Sequence, residues 1–145
     1  MGPILADTSF FFALYGQDVH TAAAKARAAR LGSSLSLTIL QRYELGNAVR
    51  FAAFRGVIPA KDAASILTAF ESDLKAGFLV MAHCDLEEVV LEAQRLSAIH
   101  TLEGGHRSFD ILHVASARVL KAREFLTFDA NQRRLAKAAG LVTGP

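Results

Sequence analysis

Four acidic residues stand at positions from which their side chains could act on one substrate. Asp7 and Asp129 each follow directly a short apolar segment that has the character of a β-strand. Glu44 falls in the second turn of a predicted helix, and Asp110 is the third residue of another. Sites in parallel sheets form beyond the carboxyl ends of the strands, so we expect these four carboxylates at or just past one edge of the sheet.

A cluster of carboxylates indicates a bound cation. Like charges a few ångströms apart raise one another's pKa, and a divalent cation removes that repulsion. Because the ligands would all be oxygens, Mg²⁺ or Mn²⁺ is favoured over zinc. Mg²⁺ commonly binds phosphate and keeps several waters, so the chemistry indicated is metal-assisted hydrolysis of a phosphodiester.

Each acid also has an ordinary structural interpretation. Asp7 and Asp129 could simply cap helices, and Asp110 could stabilise the first turn of its helix through a favourable interaction with the helix dipole. Glu44 falls on the stripe of its helix that we expect to face the core, where a carboxylate must be paired or bind a metal. Otherwise Glu44 would reach outward at the edge of the stripe or pair with an Arg. The apolar members of that stripe are Leu40, Tyr43, Ala48, Phe51 and Phe54.

The elements that must position these acids alternate along the chain. Short apolar strands are predicted at residues 3–6, 34–37, 78–81, 125–128 and 141–143. Helices are predicted at residues 8–15, 19–31, 38–54, 59–77, 85–100, 108–122 and 129–140, with a polar loop at 101–107. This alternation predicts a single α/β domain over residues 1–145, built as a three-layer α/β/α arrangement around a short parallel sheet of four to five strands.

Composition agrees with one packed domain. The chain has 145 residues, of which 52% are hydrophobic and 21% charged, which excludes a disordered protein. Its 16 Lys and Arg nearly balance its 14 Asp and Glu, which excludes a strongly basic tail, although 11 of the 16 cations are Arg and a local basic patch remains possible.

The compartment is predicted from the cysteine count and the first apolar run. The single cysteine, Cys84, excludes an internal disulfide and a cysteine-based zinc site, as expected for a cytoplasmic protein. The apolar run from Ile4 to Tyr15 is interrupted by Asp7 and lacks a basic leader. We therefore expect neither a signal peptide nor a membrane span there.

Four motifs, in order, resemble those of a known family. They are Asp-Thr-Ser at residues 7–9, Tyr-Glu-Leu-Gly-Asn at 43–47, Phe-Asp-Ile-Leu-His-Val-Ala-Ser-Ala at 109–117, and Leu-Thr-Phe-Asp at 126–129 followed by Leu-Ala-Lys-Ala-Ala-Gly-Leu at 135–141. The sequence resembles the PIN-domain ribonucleases, especially the VapC-like toxins of bacterial toxin–antitoxin pairs, and the resemblance covers nearly the whole chain.

The resemblance implies a function and assigns roles to residues. Asp7, Glu44, Asp110 and Asp129 match the acidic quartet of the family, and Ser9 matches a position that helps to hold the site. The family implies an endoribonuclease that depends on Mg²⁺ or Mn²⁺ and acts on structured RNA such as tRNA or rRNA. It also implies a homodimer and an antitoxin protein that blocks the site.

Several other polar residues lie near the predicted site in sequence. Asn131 is either an additional outer ligand of the metal or an ordinary first-turn residue. His113 is better explained as a hydrogen-bonded core histidine than as a metal ligand. Residues that either bind RNA phosphates or are simply solvated are His106, Arg107, Arg133 and Arg134.

Three consecutive phenylalanines, Phe10 to Phe12, allow two interpretations. A helix cannot bury all three on one face, so at least one would face solvent or a partner. Alternatively, the short helix is wedged between the sheet and its neighbours and all three are core.

Two other classes of protein stay open on the sequence alone. One is a non-catalytic PIN-like module that binds RNA or a partner. The other is a phosphoaspartate receiver or a related phosphatase, but these need an acidic pair or an Asp-x-Asp motif after the first strand. Here Ser9 takes the place of the second Asp.

Overall fold

The computed structural model describes residues 1–145 and contains a parallel sheet between two layers of helices. The strands are β1 (Ile4–Ala6), β2 (Leu35–Leu37), β3 (Leu79–Met81), β4 (Glu124–Leu126) and β5 (Thr143–Gly144). The helices are α1 (Thr8–Tyr15), α2 (Thr21–Ala29), α3 (Ile39–Phe54), α4 (Ala60–Ala76), α5 (Leu86–Gly104), α6 (Ser108–Val119) and α7 (Ala130–Ala138). The predicted three-layer α/β/α architecture is confirmed, with five strands. No helix is both long enough and apolar enough to cross a membrane.

The order of the strands creates a crevice at the centre of the sheet. The order is β3-β2-β1-β4-β5, and all four pairings are parallel. The chain moves outward from β1 through β2 to β3, and then returns to place β4 on the other side of β1. Helices therefore diverge between β1 and β4, where Ala6 lies opposite Leu126. Such a switch point leaves an open crevice at the carboxyl ends of the strands.

Both faces of the sheet are covered. Along β1, Ile4 and Ala6 belong to one hydrophobic cluster and Leu5 to the other, as expected when successive side chains point to opposite faces. The first cluster joins the sheet to α1–α4, and the second joins it to α5–α7. This double burial explains why the central strand β1 is apolar at every position rather than alternating.

Aspartate side chains fix the start of two helices next to the crevice. Asp7 precedes α1 and accepts a hydrogen bond from the backbone N–H of Phe10 at 3.0 Å. Asp129 precedes α7 and accepts one from the backbone N–H of Gln132 at 2.9 Å. Each acid therefore satisfies a helix terminus and is held at the end of its strand.

Several predicted boundaries are wrong by a few residues. Helix α5 continues to Gly104, so that only residues 105–107 remain of the predicted loop at 101–107. Gly105 ends this helix with a φ of 63°, a left-handed conformation that glycine adopts without strain. Helix α2 is shorter than predicted and α6 ends at Val119, whereas β5 begins two residues later and ends one residue later than expected.

The predicted inward stripe of α3 is wrong for its three aromatic members, whereas Leu40 and Ala48 are partly buried. Tyr43, Phe51 and Phe54 are 65%, 53% and 83% exposed. The side chains that face the core are instead Leu45 and Val49, which join the cluster that contains Phe10 and Phe11. Those two phenylalanine rings fill the layer between the sheet and its helices, so α3 contributes its smaller apolar side chains to that layer.

The burial of the three consecutive phenylalanines nearly matches the second interpretation, in which α1 is wedged between the sheet and its neighbours. Phe10 and Phe11 are completely buried, and Phe12 is partly buried and packs against the same cluster. Helix α1 is enclosed because it contacts α2, α3 and α4 as well as following β1 directly.

Candidate active site

The four predicted acids line one cleft at the carboxyl ends of β1 and β4. The cleft has a volume of about 430 Å³, and Asp7, Glu44, Asp110 and Asp129 are all part of its wall. The remaining wall residues are Thr8, Ser9, Ala48, Arg107 and Phe109. The acids come from four different places in the chain, and the crevice at the switch point brings them together.

Asp7 is the most deeply buried of the four. Only 4% of the residue is exposed, and burial raises the pKa of its carboxyl group. One carboxylate oxygen, Oδ1, accepts hydrogen bonds from the hydroxyl of Ser9 at 2.6 Å and from the N–H of Phe10. The other, Oδ2, accepts one from the hydroxyl of Thr127 at 2.5 Å. These donors stabilise the ionised form and fix the carboxylate in one orientation.

Ser9 and Thr127 also connect the two halves of the cleft. The Ser9 hydroxyl accepts a hydrogen bond from the backbone N–H of Phe128, and the Thr127 hydroxyl accepts one from that of Asp129, both at 3.0 Å. The sequence interpretation missed Thr127 because it read that residue as part of a strand. Its position between a strand and a capping Asp was the available signal.

Glu44 is held from both sides by neighbouring polar groups. Its Oε1 accepts hydrogen bonds from the hydroxyl of Thr8 and from Nε2 of His113, the latter at 3.0 Å. Burial alone would raise the pKa of Glu44, but these hydrogen bonds and the nearby charges of His113 and Arg107 give a pKa below the usual value. His113 is completely buried and hydrogen-bonded, as the sequence predicted.

The carboxylate of Asp110 makes a longer polar contact than the carboxylates of the other three acids. Its Oδ2 lies 3.5 Å from Nε of Arg107, whose side chain is 83% exposed. Burial raises the pKa of Asp110, Arg107 opposes this effect, and the charges of Glu44 and Asp129 raise the pKa further. A carboxylate whose neighbours disfavour its charge is a common feature of functional sites.

Asp129 and Asp110 are tied together through the backbone. The side chain of Gln132, in the first turn of α7, donates a hydrogen bond from Nε2 to the backbone carbonyl of Asp110 at 3.0 Å. Gln132 is almost completely buried. The backbone N–H of Gln132 also donates a hydrogen bond to Oδ1 of Asp129. Gln132 therefore contacts both Asp110 and Asp129 and fixes the spacing between these two acids.

Four of the predicted accessory residues do not line the cleft. The amide Nδ2 of Asn131 lies 3.2 Å from Nδ1 of His106, and Oδ1 of Asn131 accepts a hydrogen bond from Arg134. Arg133 donates a hydrogen bond to the carbonyl of Thr127 at 2.5 Å. In the first turn of α7, Asn131, Arg133 and Arg134 make their polar contacts with nearby residues and not in the cleft. Of the predicted basic residues, only Arg107 lines the cleft wall.

The sequence comparison identifies the family. A profile of the PIN domain matches residues 4–138. The chain belongs to the PIN-domain family. This confirms the resemblance seen in the four sequence motifs. A comparison with curated protein sequences gives no significant match.

Solved structures with the same fold include three from bacteria. VapC20 from Mycobacterium tuberculosis, a toxin that cleaves the sarcin–ricin loop, has a TM-score of 0.70 at 18% identity over 96% of each chain. VapBC-1 from nontypeable Haemophilus influenzae has a TM-score of 0.66 at 14% identity over 97% of this chain and 95% of that chain. FitAcB from Neisseria gonorrhoeae has 0.63 at 14% identity, over 98% and 96%. At these identities the likeness establishes a shared fold.

The acids of this PIN domain fit a hard cation by donor type. All four supply carboxylate oxygens, which suit Mg²⁺ or Mn²⁺. As the side chains stand, no group of three acidic, His or Cys residues is arranged to hold a metal ion. The charges of Glu44 and Asp129 raise the pKa of Asp110, and a cation would relieve that repulsion. The donor chemistry of the four acids therefore fits the ion.

The raised pKa of Asp110 makes stability depend on pH. A carboxyl group with a raised pKa stabilises the folded state fully below its unfolded pKa, about 3.9, and loses that contribution as pH rises through the folded pKa. We therefore expect Asp110→Asn to match the wild type near pH 3.5 and to become the more stable protein as pH rises to 7. Urea denaturation of both proteins across this range, without metal, measures the difference. A difference that shrinks with rising pH would contradict the assignment.

Proposed function

We propose that this PIN domain is a metal-dependent endoribonuclease that hydrolyses RNA phosphodiesters, and that it acts as the toxin of a type II toxin–antitoxin pair. The observation that carries the proposal is the convergence of four carboxylates from separate elements in one cleft at the switch point of the sheet. Membership of the PIN-domain family supports it.

The four acids would share the binding of Mg²⁺ or Mn²⁺. When bound, the ion would supply an activated water and neutralise charge on the scissile phosphate. Ser9 and Thr127 orient Asp7 through both of its oxygens, and Thr8 and His113 orient Glu44 through one. The exposed guanidinium of Arg107 stands at the wall of the cleft, where it can bind a phosphate oxygen of the RNA backbone.

The partners of the protein follow from the same proposal. The shared fold with VapC20, a toxin that cleaves the sarcin–ricin loop, supports a structured RNA such as rRNA or tRNA as the substrate. We further propose a cytoplasmic homodimer and a cognate antitoxin that covers the cleft. The net charge of +2 predicts weak general affinity for RNA, so binding depends on local contacts and on the metal.

The competing function is a PIN-like module that binds RNA or a protein without cleaving it. The observation in its favour is that no three side chains are arranged to hold a metal ion. The two functions differ in turnover, and one experiment separates them.

The test is cleavage of a mixed pool of structured RNAs by the purified protein, freed of any co-purified partner. We expect cleavage with Mg²⁺ or Mn²⁺ and none with EDTA. We also expect the metal to stabilise the fold, by about 2.7 kcal/mol when present at 100 times its dissociation constant. Asp62→Asn, at an exposed aspartate outside the cleft, should behave as the wild type. Binding of RNA without cleavage under any metal would support the non-catalytic module instead.

A further inference from the structure

A row of aromatic rings leads from the surface to the acidic cleft. Tyr43 is 65% exposed, and its ring centroid lies 6.0 Å from that of Phe109. Phe109 lines the cleft and in turn lies 5.9 Å from the buried ring of His113, which donates to Glu44. The exposed ring is thus supported by a half-buried ring and a fully buried one, next to a candidate ligand of the metal.

A second group of stacked rings lies beyond Asp129. His20 is exposed and stacks on Phe128 with a centroid distance of 4.5 Å and an angle of 8°. Phe128 stacks on the buried ring of Phe10 at 5.6 Å and 9°. The outer face of the His20 ring is therefore the open end of a rigid stack of three rings.

The two aromatic groups border two clefts that share part of their walls. His20 and Phe128 line a second cleft of about 380 Å³. This cleft shares Thr8, Ser9 and Asp129 with the acidic cleft, whereas Phe109 lines only the acidic cleft. Tyr43 lies beside the acidic cleft through its contact with Phe109, and a strand that crosses from that cleft into the second one would pass the carboxylates and the ring of His20.

We propose that Tyr43 and His20 are the residues that stack on unpaired bases of the RNA whose phosphate enters the acidic cleft. This inference rests on the proposed function, because it assumes that a phosphate occupies the acidic cleft. Bases within a duplex have no free face to offer to these rings. The His20 ring is held by the stack beneath it, and the Tyr43 ring packs against Phe109, so binding a base costs little side-chain entropy.

The charged groups of the acidic cleft favour RNA over an apolar protein segment as the occupant of the two clefts. The acidic cleft holds four carboxylates whose charge a bound divalent cation would neutralise, and the exposed guanidinium of Arg107 lies beside them. Aromatic faces alternating with phosphate-binding groups are the usual means of binding single strands. An apolar protein segment would leave these charged groups unpaired.

The test uses a short oligoribonucleotide that carries the fluorescent base 2-aminopurine. Ca²⁺ replaces Mg²⁺, so that a hard cation can occupy the carboxylates, and a gel verifies that the oligoribonucleotide stays intact. Stacking on an aromatic ring quenches this base. We expect the wild type to quench the single strand and not its duplex. Tyr43→Ala and His20→Ala should each weaken binding by roughly 5- to 150-fold, the usual effect of losing one stacked base. Tyr43→Phe should restore binding, because it keeps the ring.

The matched control is Phe54→Ala. Phe54 is an exposed aromatic on the same helix, eleven residues beyond Tyr43 and roughly 16 Å along the axis. Its removal should leave quenching unchanged. The proposal is wrong if the wild type quenches neither oligonucleotide or if Tyr43→Ala binds the single strand as tightly as the wild type. It is also wrong if Tyr43→Ala changes only the sedimentation of the protein without RNA, because the ring would then be a contact between proteins.

Cleavage assays distinguish a failure of this proposal from a failure of the proposed function. If the wild type cleaves RNA and both alanine variants cleave it with unchanged KM, the stacking proposal fails alone. If the wild type quenches the single strand through Tyr43 and cleaves no RNA with any metal, the stacking proposal stands and the nuclease assignment fails.

Discussion

Asp110→Asn is expected to reduce metal-dependent cleavage of RNA by about 10³-fold, the scale of effect that follows removal of one group that stabilises a transition state. The substitution removes a negative charge from the acidic cleft and keeps the size of the side chain. Because burial and the neighbouring acids disfavour the charged form of Asp110, the variant should fold with at least the wild-type stability at pH 7. Initial rates with saturating Mg²⁺ or Mn²⁺, beside thermal unfolding, measure both effects.

Asp7→Asn gives an independent check on the same site. Cleavage should again fall by about 10³-fold. The amide places an NH₂ group among three hydrogen-bond donors, which costs stability. It also removes the buried charge of a carboxyl group whose pKa is raised, which offsets part of that cost, so this variant should be less stable than Asp110→Asn relative to the wild type. Cleavage at the wild-type rate by either folded variant would show that the four acids are not the catalytic group.

Phe11→Ala is expected to lower the free energy of unfolding by about 3–5 kcal/mol. Phe11 is completely buried, and its ring packs edge-on against Phe10 and Phe70 at 6.4 Å and 6.1 Å. Truncation removes these contacts and leaves a cavity between α1 and α4. Denaturation by urea at pH 7 measures the change.

The matched substitution is Phe51→Ala on α3. Phe51 is the same residue type but is 53% exposed, so its loss should change the free energy of unfolding by far less than that of Phe11. Equal destabilisation by the two substitutions would mean that the exposed rings of α3 are buried in solution, as they would be in a dimer.

The sequence was sufficient to predict the position of the acids. A short apolar strand followed at once by a capping residue has few alternatives, so the local pattern alone places Asp7 and Asp129 at the ends of their strands. Parallel strands then bring those ends together. The prediction that Glu44 and Asp110 join them depended on the spacing of the family motifs as well as on helical periodicity.

The sequence was not sufficient to choose the buried face of α3. This helix carries apolar residues around most of its circumference, so periodicity alone does not select one face. The aromatic residues suggested an inward stripe through Tyr43 and Phe54, but Phe10 and Phe11 already fill the layer beneath. Contacts between residues far apart in the chain, such as Thr127 with Asp7 and Gln132 with Asp110, depend on the fold and leave no local pattern in the sequence.

The double role of the capping acids affects how inactive relatives of this protein should be recognised. Asp7 and Asp129 hold helix termini, so a lineage that lost catalysis would still be under selection to keep them for folding alone. Asp110 contributes little to folding, because its environment disfavours its charge and it caps no helix. In the absence of catalysis this residue would be free to drift first. Substitution at the position of Asp110, with both capping aspartates intact, is therefore the signature to expect of a pseudoenzyme with this fold.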